Sequence, residues 1–101
     1  MSTDAVFTAL GDPTRRHLVE TLARAPATAT ALARELPITR QAVAKHLAML
    51  AAADLVAAER RGRETRFTLR PEPLREVSRW VEAVGDEWSE RLRRLERSIG
   101  R

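Results

Sequence analysis

Two stretches of the sequence carry side chains suited to an anionic polymer. The first is Thr39-Arg40-Gln41 followed by Ala44-Lys45-His46. Arginine and lysine donate to guanine O6 and N7, glutamine pairs with adenine N6 and N7, and an alanine methyl meets the thymine methyl. His46, beside Leu47, is placed to touch phosphate. The second stretch gathers Arg60, Arg61, Arg63 and Arg66 around Gly62. Guanidinium groups there can follow phosphates into an adjacent minor groove, fixing position while carrying little base information. All of this is binding chemistry. There is no Ser-His-Asp set, no glycine-rich phosphate loop and no nucleophilic cysteine, so an enzyme is not expected.

The charge distribution points the same way. The chain has 101 residues and a net charge of +4. Residues 1–38 and 71–101 each balance to zero. Residues 39–70 hold seven basic side chains against Asp54, Glu59 and Glu64, so the entire excess lies there. A local positive field in an otherwise balanced chain suits a polyanionic partner. A solvated basic face, or a charged strand edge that resists aggregation, is the plainer explanation of either stretch alone. Both stretches lying beside a tight pair of helices favours duplex DNA.

Those residues need elements to position them. Residues 3–10 form a short helix with Thr3 as cap and Val6, Phe7 and Leu10 on its apolar side. Asp12-Pro13 starts a second helix, with Asp12 as N-cap and Pro13 at the first position, where no hydrogen bond is lost. Leu18, Val19 and Leu22 are its buried stripe, and Pro26 closes it. His17 on this helix reads as a partly buried polar residue. A third helix covers 30–36, with Thr30 as cap and Leu32, Ala33 and Leu36 turned inward. A fourth covers about 40–52, capped by Thr39, with Val43, Leu47 and Leu50 on one face. Only Pro37-Ile38-Thr39 and their neighbours join these two helices, so they must cross steeply.

After Asp54 the periodicity changes to alternation, Val56 and Ala58 on one strand, Phe67 and Leu69 on the next. Arg61-Gly62-Arg63-Glu64 between them is a turn with glycine at a positive φ. The wing hairpin therefore covers about 56–70. A long last helix covers about 72–98. Its stripe is Leu74, Val77, Val81, Val84, Trp88, Leu92, Leu95 and Ile99, with Trp80 alongside. That stripe is longer than the preceding domain can cover. Leu74, Val77, Val81, Val84, Trp88, Leu92 and Leu95, with Val6 and Phe7 of the first helix, are expected to pair with a second copy of the chain.

These motifs resemble the ArsR/SmtB-type repressors. The likeness lies in Asp12-Pro13-Thr14-Arg15-Arg16, in Thr39 to Leu47 and on to Leu50, in Asp54-Leu55-Val56, in Arg61-Gly62-Arg63-Glu64, and in Phe67-Thr68-Leu69. Trp80-Val81-Glu82 and Trp88-Ser89-Glu90-Arg91-Leu92 are similar to the subgroup with tryptophans in the last helix. The resemblance implies a mainly α winged helix-turn-helix with a small β-hairpin, one domain over 1–101, dimeric through its first and last helices. It implies a sequence-specific repressor acting as a homodimer on double-stranded DNA at a palindromic operator.

The family's metal sensors use cysteines near the third helix, or His and acids on the last. Here that third-helix segment is Leu32-Ala33-Arg34-Glu35-Leu36-Pro37, and the last helix has no His, so metal-independent action is expected, with no cofactor. Two other readings stand beside this one: a winged helix that meets an acidic protein, and a repressor that senses metal through Asp86, Glu87 and Glu90. Asp4 and the lack of a long apolar run argue against a secretory signal or membrane span, so a cytoplasmic location is expected. The effector is not legible.

Overall fold

The computed structural model describes residues 3–100. The chain runs α1 (Thr3–Ala9), α2 (Pro13–Leu22), β1 (Ala27–Thr28), α3 (Ala29–Arg34), α4 (Arg40–Ala52), β2 (Val56–Arg61), β3 (Glu64–Leu69) and α5 (Glu72–Ile99). It is mainly α with one small antiparallel sheet, ordered β1-β3-β2.

Local chemistry sets most of the boundaries. Asp12 caps α2 by accepting from the Arg15 backbone N–H, with Pro13 at the first helical position. Thr39 caps α4 in the same way, accepting from the Ala42 N–H at 3.1 Å. The end of α4 is closed by two reversed backbone bonds, from Asp54 N–H to Ala51 and from Leu55 N–H to Leu50. This closure needs a left-handed residue, and Asp54 takes that role at φ 59°. Gly62 adopts φ 61° at the hairpin turn, where the missing side chain removes the steric penalty.

Three readings of caps and strands need correction. Thr3 lies inside α1 and does not precede it. Thr28 caps α3, accepting from Ala31 N–H at 3.1 Å, and Thr30 is the second residue of the helix. The hairpin is also joined by a third strand, because Ala27 and Thr28 pair with Phe67 and Arg66. That pairing fixes Thr28 in the extended conformation a cap requires, which moves the helix start forward from Thr30.

The core is wholly apolar among the described residues. Leu18, Val19 and Leu22 of α2, Leu32 of α3, and Val43, Leu47 and Leu50 of α4 close on Leu55 and Val56 of the hairpin entrance. Phe67, Leu69, Leu74 and Val77 pack around it. Burial at roughly 25 cal/mol per Å² makes this set the main source of stability. Val6 is also fully buried here. It builds the protomer's own core and has no surface to give a partner, contrary to the expectation from the first helix's apolar side. Its neighbour Phe7 remains exposed and meets Trp80 of α5 edge-on, ring centres 5.4 Å apart. His17 is exposed, not partly buried.

Helix α5 begins with Pro73 buried and Leu74 and Val77 against the core. Its 28 residues make a rod of about 42 Å, and beyond Trp80 it leaves the body of the protein. The molecule is accordingly long, 69 by 26 by 21 Å. No described helix is long and apolar enough to cross a membrane.

Candidate nucleic-acid interface

Helices α3 and α4 are joined by five residues, 35–39, and α3 follows directly on β1. Between them and the wing lies an open groove of about 750 Å³. Its walls carry Arg34 of α3, Arg40 and Ala44 of α4, and Arg60, Arg63 and Arg66 of the wing. Five guanidinium groups therefore surround one concavity, and Glu64 is the only acid on its wall. A cleft lined by one sign of charge focuses its field and raises the local concentration of the opposite charge.

The wing arginines owe their placement to strand pairing. Arg60 stands opposite Thr65, and Glu59 opposite Arg66, across the hairpin. Arg60 Nε donates to the Gly62 carbonyl at 3.0 Å, which holds its side chain over the turn. Arg66 lies 3.9 Å from the Glu64 carboxylate, an exposed pair of little energetic weight.

The two faces of α4 divide the labour. Val43, Leu47 and Leu50 are buried completely. Arg40 and Ala44, one turn apart, face the groove. Gln41 and Lys45 are exposed on the adjoining strip and do not line it, and Thr39 is occupied as the cap. His46 and Arg61, also expected at the interface, do not line the groove. His46 is half-buried, with Nδ1 3.5 Å from an Arg15 guanidinium nitrogen. Arg61 Nε donates to Glu59 Oε1 at 2.9 Å.

Arg15 is the centre of a separate cluster behind α4. Its Nε donates to the Ala9 carbonyl at 2.6 Å and its Nη2 to the Thr8 carbonyl at 3.2 Å, so it closes the open end of α1. Its Nη1 also reaches Met49 of α4. Asp12 lies beside this cluster. Its carboxyl is held below the ordinary value, first by the Arg15 backbone N–H and then by nearby positive charge.

Sequence reasoning missed Arg34 and Thr30. They stand one turn apart on α3, facing away from Leu32, and that i, i+4 spacing was a usable signal. The balance of charge over residues 1–38 concealed Arg34, because Glu35 beside it cancels its contribution.

Phe7, Val81, Val84, Trp88, Leu92 and Leu95 of the expected pairing surface are exposed. Leu74 and Val77, assigned to the same surface, pack against the core of their own protomer. No three His, Cys, Asp or Glu side chains converge into a possible metal site among the described residues. On α5, Glu90 is instead engaged by Arg93 and Arg97, and the hydrogen bonds from Arg93 hold its carboxyl below the ordinary value.

Comparison with known proteins gives a consistent result. A helix-turn-helix domain family matches residues 10–58. The uncharacterized HTH-type transcriptional regulator YuzN of Bacillus subtilis (strain 168) is 40% identical, over 78% of this chain and 95% of that protein. The transcriptional repressor SdpR of the same organism is 29% identical, over 75% of this chain and 84% of its own. Among solved structures, an ArsR-like transcriptional regulator from Rhodococcus sp. RHA1 superposes with a TM-score of 0.84 at 39% identity, covering 96% of this chain and 92% of that one.

Proposed function

Since the chain belongs to the ArsR/SmtB-type winged helix-turn-helix family and is a DNA-binding transcriptional regulator, we propose that it works as a homodimeric, metal-independent repressor at a palindromic operator in the cytoplasm. The observation that carries this reading is the groove that gathers Arg34, Arg40, Arg60, Arg63 and Arg66 between α4 and the wing. In this proposal α4 enters the major groove by its N-terminal end. Arg40, Gln41, Ala44 and Lys45 meet base edges there. Arg60, Arg63, Arg66 and Arg34 clasp the flanking phosphates and set the register.

The dimer supplies the symmetry. Trp88 is 57% exposed, and the stripe from Val81 to Leu95 stays exposed among the described residues. A two-fold pairing of α5 helices buries that stripe and presents two copies of α4 to an inverted repeat. Repression then follows from occupancy, because a protein seated across a promoter blocks polymerase. The relationship to the repressor SdpR supports that direction of control. The protein acts by binding and performs no catalysis.

Selection of bound duplexes from a random pool tests the proposal. The expected product is an inverted repeat with half-sites separated by about one helical turn. An Arg40→Ala variant is expected to lose preference at one base pair in each half-site. Enrichment of no sequence over the starting pool overturns the reading.

A further inference from the structure

Arg40 does not project freely from α4. Its Nε donates to Thr30 Oγ1, 3.1 Å away, across the gap between the two helices of the helix-turn-helix. Thr30 is available for this because it is not the cap of α3. Thr28 caps that helix, and its Oγ1 accepts from Ala31 N–H. Both Thr30 and Arg40 line the basic groove. We propose that Thr30 is a positioning residue for base recognition: its hydroxyl fixes the Arg40 guanidinium so that the Nη1–Nη2 edge is presented to the DNA. This inference rests on the reading of Arg40 as a base contact.

The physical argument is preorganisation. An arginine side chain is long, and ordering it at an interface costs conformational entropy, which is subtracted from any base contact it makes. A guanidinium is a planar fork, and bidentate contact with guanine O6 and N7 requires two N–H bonds in the plane of the base. Occupation of Nε by Thr30 removes one of the two forks the group can offer and fixes the plane of the other. Lysine has no planar fork, so it cannot reproduce this arrangement. Thr30 is exposed on a short helix, and exchange for valine keeps its shape and branching while deleting the acceptor.

The test uses the full-length protein and the duplex that wild type enriches from a random pool, together with its single-base-pair variants. Thr30→Val is expected to cut discrimination at the Arg40 base pair about tenfold, the scale of a hydrogen bond to a charged group. Thr30→Ser, which keeps the acceptor, is expected to retain it. In an Arg40→Ala background Thr30→Val is expected to change nothing further, and the salt dependence is expected to match wild type throughout.

Unaltered discrimination in Thr30→Val, with discrimination lost in Arg40→Ala, overturns the positioning role and leaves Arg40 as the reader. Equal weakening on every duplex, persisting in the Arg40→Ala background, also overturns it and makes Thr30 a phosphate contact. Full base preference in Arg40→Ala overturns the underlying reading itself. Thermal melting of each variant distinguishes these outcomes from loss of fold.

Discussion

Helix α4 sets Val43, Leu47 and Leu50 on one face and hides them completely. Helix α5 sets Val81, Val84, Trp88, Leu92 and Leu95 on one face and leaves them between 38% and 57% exposed. Both stripes obey the helical period, and the longer one is the uncovered one. A periodic stripe therefore identifies the face of a helix that needs cover but not the source of that cover. For α4 the cover is α2, α3 and the hairpin entrance, in the same chain. For the outer half of α5 no cover is found among the described residues, and we propose that a second copy supplies it.

The largest effect should separate the two stripes at once. Leu47→Ala is expected to cost about 2–5 kcal/mol of folding stability, since it opens a cavity in a fully buried cluster. Urea unfolding measures it. Trp88→Ala is expected to leave the unfolding of an isolated protomer nearly unchanged but to weaken self-association by about 2 kcal/mol, roughly thirtyfold, in sedimentation equilibrium. Equal losses of protomer stability in both variants break the comparison. So does a wild-type chain that stays monomeric at every concentration.

The helix ends sharpen it. Helix α4 starts with a side-chain cap from Thr39, whereas α5 starts at Pro71 with none. Thr39→Ala is expected to cost about 1 kcal/mol of stability. Its effect on DNA affinity should be larger than stability alone accounts for, because the frayed turn carries Arg40 and Gln41. Asp12 gives the smallest effect. Its folded-state carboxyl titrates below the ordinary value, chiefly through the Arg15 backbone N–H. The cap's contribution is therefore complete above the unfolded-state value, and it fades as the pH falls through the folded-state one. Asp12→Asn is expected to flatten that acid limb of the stability profile, measured by unfolding at stepped pH below about 5.

What the sequence made legible was local. Asp12-Pro13, Thr39 and Gly62 act through the few residues around them, and their positions follow from residue type. The buried faces of α2 and α4 follow from period alone. What escaped depends on distant partners. The cap of α3 fell on Thr28 because β3 pairs with Ala27 and Thr28 from nearly forty residues away. Val6 went to the core, and Phe7 to the surface beside Trp80, because of how α1 seats on α5. His46 met Arg15 from another helix, thirty-one residues distant in sequence. Within the groove, the arginines of residues 40–66 were legible as a cluster of charge. Arg34 was not, since its closeness to them exists only after the helices cross.

Salt dependence of duplex binding tests the basic groove most directly. Each phosphate neutralised adds about −0.9 to the slope of log K against log salt concentration. Wild type should show a steep negative slope. Arg63→Ala should weaken every duplex alike and reduce the slope by about one. Wild-type binding that does not respond to salt, or an Arg63→Ala slope equal to that of wild type, contradicts the assignment of this groove to DNA.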